Sequence, residues 1–515
     1  MMLPEILANV IRFVITRGED VERAGWLELG LGGRIRPCIM TARDTPWPYM
    51  FVCKTWYDAL LSTPHLWTTF FAICDGRHPD VPRIASMFDH CLRRSVNEPL
   101  TLYICSSFRN WKEADAKNHT IVFNMIKRAY EQKHRWEDVR LSFHCQRFEA
   151  PDEEPAGQAP APIEFNLQLK DTTMLKKLGI DISGTERFAS NPRRGRQLAL
   201  MPSHHLQLLR IQNKDTNILL PSGSGKPLHF PNLHTLDLDF ALNGTHDQLW
   251  ALLAASPNVV SLKLRLSFIP PHGPTSITPN TSTLPFFKLH DLAIQANSTI
   301  QLSALLDRWD FPSLKKLKLL WFSLSNESLS EMTRVFTMHP HSIDSLLLDI
   351  IRIPQAESLE ISALKTFFRS FSELEHLQVD SVVRYYIPDS FFRAFTKMIS
   401  RPDAGEDDQV GTDVLPRLKT LVLTASSANI LVGDRSPGVI KNVILACKQR
   451  YPADFHIKVQ QDDYAPSMCG ELQLEEVAVR SLLEDMDVRR CVSEDFSVYV
   501  QVKKDEFQTW MDSPR

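Results

Sequence analysis

The sequence predicts an α/β protein built as a stack of similar strand–helix units, with a parallel sheet lining a concave face and helices outside. Two observations predict this. One arrangement, apolar-x-x-apolar-x-apolar, recurs nine times, and helical patterns fill the intervals between its copies. Because each strand precedes its helix in the same order, consecutive strands run parallel and the crossover helices cover the sheet. A chain of 515 residues also exceeds what a single hydrophobic core ordinarily serves, so several modules or a repeat array is expected.

The copies are Leu175/Leu178/Ile180, Leu206/Leu209/Ile211, Leu233/Leu236/Leu238, Val259/Leu262/Leu264, Leu289/Leu292/Ile294, Leu314/Leu317/Leu319, Ile343/Leu346/Leu348, Leu374/Leu377/Val379 and Leu418/Leu421/Leu423. Trp136/Val139/Leu141 and Leu100/Leu102/Ile104 look like earlier, degraded ones. From Leu233 to Leu374 the copies begin roughly 25 to 31 residues apart, at or slightly above the period of leucine-rich repeats. A longer gap follows, filled by an acidic insertion around Glu406, Asp407 and Asp408. The second and third apolar residues are two apart, so on a strand they share a face. Pro231, Pro257, Pro312 and Pro416 stand just before the first apolar residue, where a missing donor marks a strand entrance. Helical spacing recurs at Leu249, Leu252 and Leu253, and again at Leu302, Leu305, Leu306 and Trp309. No unit buries its own face, whereas stacked neighbours do, and the expected product is a curved solenoid.

The N-terminal segment follows a different logic. Ile6, Leu7, Val10, Ile11 and Val14 fall at helical spacing, with Pro4 in the first turn. Further on, Val52, Trp56 and Leu60 form one helical stripe, Ser62-Thr63-Pro64 ends it, and Leu66 and Trp67 open a short second helix. Such a hairpin has more large apolar side chains than it can hide, which marks an interface.

Leu3-Pro4-Glu5-Ile6-Leu7, followed by Val52-Cys53-Lys54-Thr55-Trp56, Leu60 and Thr63-Pro64-x-Leu66-Trp67, resembles an F-box of the kind found in the large families of mushroom-forming fungi. The resemblance covers about the first 70 residues, with an insertion at about 18–47 that includes the glycine-rich Leu29–Gly33 turn. It implies an adaptor that docks to a Skp-type linker protein, and through it to a cullin, while the repeat array presents a client for ubiquitination. Leu3, Pro4, Ile6, Leu7, Val52, Trp56, Leu60, Pro64, Leu66 and Trp67 match the motif and are the implied linker-binding or module-core residues. A helical cap on a repeat scaffold or inhibitor, with no ligase association, is the alternative.

The expected organisation is an F-box-like module over 1–72, a helical connector with a degenerate first repeat over 73–135, the leucine-rich-repeat solenoid over 136–460 and a C-terminal cap or tail over 461–515. Loops are expected at 149–163, 268–285 and 402–414, where Pro, Ser, Thr, Gly or acidic residues concentrate.

Composition narrows the function. The net charge of −3 gives no basic stripe for a nucleic-acid partner. No run of about 18 apolar residues exists to cross a bilayer, and Glu5 and Arg12 interrupt the apolar N-terminus. The nine cysteines form no Cys-x-x-Cys pair, so reduced thiols in the cytoplasm or nucleus are expected, without disulfides or zinc. Pro221–Pro227 departs from a phosphate loop at both the leading position, Leu220, and the one after Lys226. Asn191–Arg196 is a short basic turn, and His204, His205, His339 and His341 lack ligand partners at suitable spacing. No catalytic arrangement is recognisable, so no enzyme activity and no cofactor is expected.

The client surface is expected on the strand residues that alternate with the core. Acidic Asp237 and Asp239 lie beside a basic ridge of Lys263, Arg265, Lys316 and Lys318, and acid returns at Asp349 and Asp380, with His376 nearby. Alternating patches of this kind favour a protein ligand over a polyanion.

Overall fold

The computed structural model describes residues 47–75, 81–108, 113–145, 166–169, 172–184, 196–199, 203–212, 216–219, 229–241, 246–267, 284–296, 302–303, 306–338, 342–352, 359–381, 389–400, 414–425, 436–451, 455–462 and 496–503. Residues 3–14, the 18–46 part of the insertion and most of the three expected loops lie outside them. The chain divides into two compact units, Met1–Ala241 with Thr245–Ser256, and Leu242–Gly244 with Pro257–Arg515.

The first unit holds helices α1 (Lys54–Leu61), α2 (Val81–Arg94), α3 (Glu113–Glu131) and α4 (His246–Ala254). Its strands are β1 (Thr69–Asp75), β2 (Leu100–Phe108), β3 (Trp136–Cys145), β4 (Asn166–Gln168), β5 (Lys177–Gly184), β6 (Arg196–Ala199), β7 (Leu208–Gln212), β8 (Thr216–Leu219) and β9 (Thr235–Ala241). Its main sheet runs β1-β2-β3-β5-β7-β9, and β4-β6-β8 form a small second sheet; the pairings between these neighbours are parallel. Helix α2 forms because Val81, Ile84, Ala85, Phe88 and Cys91 recur every three or four residues and are all buried. Arg93 and Arg94 sit in its last turn, where cations complement the helix dipole.

The second unit holds β10 (Ser261–Ser267), β11 (Leu284–Pro285), β12 (Asp291–Ala296), β13 (Trp309–Asp310), β14 (Lys316–Ser323), β15 (Ser345–Arg352), β16 (His376–Ser381), β17 (Thr420–Ala425), β18 (Phe455–Asp462) and β19 (Phe496–Lys503). Its helices are α5 (Asn326–Met338), α6 (Ile361–Arg369), α7 (Asp389–Ile399) and α8 (Ser436–Arg450). The sheet order is β10-β12-β14-β15-β16-β17-β18-β19, parallel throughout. Leu284–Pro285 of β11, within the segment expected as a loop, pairs with β13. Helices α5, α6, α7 and α8 pack side by side in chain order. Each unit is therefore mixed α/β with an all-parallel main sheet.

Every apolar residue of the nine copies is buried, as are Leu100, Leu102, Ile104, Trp136, Val139 and Leu141. The register explains this regularity: Leu292, Leu317, Leu346, Leu377 and Leu421 stand opposite one another from strand to strand. From strand to strand within the second unit, one carbonyl accepts two successive N–H groups of the next turn. Val260, His290, Lys315, Asp344 and Glu375 all do so, at 2.8–3.1 Å. The strands are thus stitched at the same point in each repeat.

The sequence reading missed one part of the repeat. An i→i+3 turn precedes the first apolar residue, with the N–H of Leu233, Leu289, Leu314, Leu374 and Leu418 donating to the carbonyl of Phe230, Phe286, Phe311, Phe371 and Leu415. Those turn residues are all buried. Phe336, Phe371, Phe367, Phe368, Phe395 and Phe391 form a chain of ring contacts 5.1–6.0 Å apart within the second unit. The small β4-β6-β8 sheet was not anticipated, β13 takes Trp309 that the spacing had placed on a helix, and three strands of the main sheets are also new. β1 begins two residues after Trp67, and β18 and β19 extend the sheet, β19 lying in the segment expected as a cap or tail.

Candidate docking surfaces

Two surfaces could hold a partner, one at the front of the first unit and one on the sheet. The first is built from a short 3-10 turn, Trp47–Phe51, and α1. Ala59 and Leu60 are the buried side of α1. The structure then separates the implied linker-binding residues into two groups. Leu60, Leu66 and Trp67 are buried, so they build the module. Val52 is 58% exposed, Phe51 87% and Tyr57 43%, while Trp56 and Pro64 are half-buried. Tyr49 and Trp56 lie 6.2 Å apart, centroid to centroid, beside them. Phe51 and Tyr57 are additions that the sequence reading did not single out. Leu3, Pro4, Ile6 and Leu7 lie outside the described residues.

Trp67 anchors this helical pair. Its indole N–H donates to the Leu60 carbonyl at 2.9 Å, which also accepts the Thr63 N–H at 3.4 Å, so both close the C-terminal end of α1. Its ring meets Trp47 edge-on at 5.1 Å, and both rings contact His90 of α2, at 5.3 and 4.7 Å. Burial against these rings, and then Arg94 and Arg93, holds the His90 imidazole below its ordinary pKa.

The second surface is the face of each sheet opposite the leucines. In the first unit one row crosses six strands in register: Phe71, Tyr103, Arg140, Gly179, Arg210 and Asp237. Phe71 stacks on Tyr103 at 4.5 Å, and the Arg140 guanidinium lies 4.9 Å from the Tyr103 centroid. Gly179 leaves room for the Arg140 side chain, since a Cβ there would stand 3.1 Å from the Arg140 Cγ and push it aside by a few tenths of an ångström. Asp138 accepts the Tyr103 hydroxyl at 2.8 Å and pairs with Lys177 at 3.5 Å and Arg140 at 3.8 Å. Arg210 pairs with Asp237 at 3.1 Å. This row is internally neutralised.

In the second unit the same face is more varied. Arg265 and Gln295 are buried, at 5% and 6% exposed, although both alternate with the leucines. Lys263, Asp349 and Asp380 are half-buried, as is Asp239 in the first unit, whereas Lys316, Lys318 and His376 are exposed. Gln378 donates its amide to both Asp380 carboxylate oxygens, at 2.9 and 3.1 Å. The structure thus places the residues of the expected client face on successive strands, in two separate units.

No group of three His, Cys, Asp or Glu residues is arranged to hold a metal among the described residues. Burial pushes the Cys74 and Cys91 thiols up to about 12, and burial, then Asp181 against an opposing Ser142 hydrogen bond, takes Cys105 to about 11. Cys447 is raised further by burial. These thiols stay protonated at neutral pH, whereas Cys53 is free and exposed. Among the described residues no helix is long and apolar enough to cross a membrane.

Fold and surfaces together define a parallel-sheet α/β protein that presents an apolar helical patch in its first unit and a polar strand face in each unit. No protein-family model matches the chain, and no curated protein matches it either.

Proposed function

We propose that the chain is a non-enzymatic adaptor: the substrate-recognition subunit of a Skp–cullin–F-box type ubiquitin ligase, acting in the cytoplasm or nucleus. In this reading residues 1–72 are an F-box-like module that docks to a Skp-type linker, and the parallel strands are a leucine-rich-repeat solenoid that holds a client protein. The observation that carries it is the exposed cluster of Phe51, Val52 and Tyr57 beside Trp56. A folded chain rarely leaves adjacent large apolar side chains in water unless a partner covers them. The cluster falls within the segment whose residues resemble the second half of an F-box, and the buried Leu60, Leu66 and Trp67 act as its support.

The test uses the full-length chain mixed with a purified Skp-type linker protein and resolved by gel filtration. Co-elution is expected, and Val52→Asp with Tyr57→Asp should abolish it while leaving the thermal midpoint within a few degrees of the parent. No co-elution of the unaltered chain would sink the ligase reading. Leu66→Asp is unsuitable as a docking test, because Leu66 is buried and its loss would unfold the module.

The alternative, a repeat scaffold or inhibitor whose helices merely cap the sheet, is favoured by one observation. Trp67 and Trp47 pack on His90 of α2, and β1 is the end strand of its sheet, as a capping element would require. In that case the double variant should change no interaction of the full chain.

A further inference from the structure

We propose that the β14 column of the second sheet, Lys316, Lys318 and Leu320, with Ala293 and Leu347 on its flanks, is the docking surface for an extended acidic peptide. The peptide would carry carboxylates at alternate positions, followed two residues on by an apolar side chain. The proposal rests on reading the chain as an adaptor that holds a client, and it identifies the chemistry of that client.

Charge carries the argument. Several cations elsewhere on and beside the strands have carboxylate partners: Lys177 and Arg140 with Asp138, Arg210 with Asp237, Lys176 with Glu137, and Lys419 with Glu375. The Lys316 and Lys318 side chains are exposed, and their ammonium groups have neither an ion pair nor a hydrogen bond among the described residues. Asp291 stands opposite Lys316 on the next strand, yet no ion pair joins them. Two like charges on one face of one strand, about 6.6 Å apart, repel each other. A ligand with opposite charges at the same interval removes that repulsion.

Spacing and polarity select the ligand class. An extended peptide places alternate side chains on one face at the same interval as the strand it covers, so carboxylates two apart can meet both lysines. Leu320 follows on the same face, and Lys318 stands opposite Ala293 on one side and Leu347 on the other. Leu320, Ala293 and Leu347 are half-buried and offer a strip for an apolar side chain. A long polyanion is disfavoured, because the same face turns acidic on the neighbouring strands at Asp291, Asp349 and Asp380, so only a short ligand confined to the β14 column meets two uncompensated cations.

The test measures fluorescence anisotropy of a labelled short peptide with Glu at two alternate positions and Leu two residues further on, titrated with the full-length chain. A control peptide has Lys in place of both Glu residues. The acidic peptide should bind, more weakly as salt rises, and the lysine peptide should not. Lys316→Glu with Lys318→Glu should weaken acidic-peptide binding at least about tenfold and create binding of the lysine peptide. That gain also shows the variant is folded. Leu347→Ser should weaken binding, and Lys177→Glu in the first unit should leave it unchanged. No saturable binding, equal binding of both peptides, or binding indifferent to the double charge reversal overturns the proposal. The assay contains no linker protein, so its failure leaves the ligase reading to be judged on linker co-elution alone, and the reverse is equally true.

Discussion

Val96 adopts φ 48° just beyond the end of α2, a left-handed conformation that crowds a β-branched side chain. It is exposed, so no packing contact offsets the strain. The position is the kind that glycine usually fills after a helix, and Val96→Gly should raise stability by about 1 kcal/mol in urea unfolding. The same turn is held by Arg135, whose guanidinium donates to Ser95 Oγ at 2.6 Å, the Glu98 carbonyl at 3.0 Å and Gln132 Oε1 at 3.3 Å. His90 supplies the pH dependence at this scale. Its folded pKa is lowered from 6.5, so the unfolded chain takes up a proton first on acidification. Its contribution to stability is present in full above about pH 7.5 and is lost as pH falls through about 6.5 towards the folded value. The thermal midpoint should therefore drop between about pH 7.5 and pH 5.5, by less in His90→Gln. An unchanged slope in that variant would assign the drop to other groups.

At the scale of elements, one device appears twice. Trp67 caps α1 through the Leu60 carbonyl, and Trp136 caps α3 through the Ala129 carbonyl, each at 2.9 Å and each reaching back seven residues. In both, a helix passes through a 3-10 turn into a parallel strand, and the buried indole N–H gives a second hydrogen bond to a carbonyl that also accepts a backbone N–H, from Thr63 at 3.4 Å and from Gln132 at 3.0 Å. Trp67→Phe and Trp136→Phe should each cost about 1–3 kcal/mol in denaturant titration, from the lost indole hydrogen bond and the smaller buried ring. The tryptophans were visible in the sequence, but their role was not, because a capping bond depends on the direction the chain takes after the helix. Another element-scale feature was legible yet unread: Phe230, Phe286, Phe311 and Phe371 each stand three residues before a repeat leucine. Helix α5 shows a further local signal, with Ser325 Oγ accepting the Ser328 N–H at 3.1 Å as an N-cap.

Over the whole molecule the leucines act collectively. Each strand shields its neighbour's apolar face, so a mid-strand truncation such as Leu346→Ala, in a residue 1% exposed, should cost about 2–5 kcal/mol in denaturant titration. The apolar periodicity determined the parallel pairing and the buried wall, because a side-chain period of two has only one way to hide its leucines; the expected helices between strands are found from β14 to β18, whereas β6 and β8 fall in the intervals between β5, β7 and β9. The fate of the opposite face was decided by the tertiary structure. Arg265, Lys316 and Lys318 read alike along the chain, yet packing buries the first and leaves the other two exposed. Leu60, Leu66 and Trp67 likewise shared one motif with Val52, and only the packing of α1 on its neighbours divided support from surface. Local spacing says which face of its own element a residue occupies; whether that face meets water depends on elements distant in sequence, and so required the folded chain.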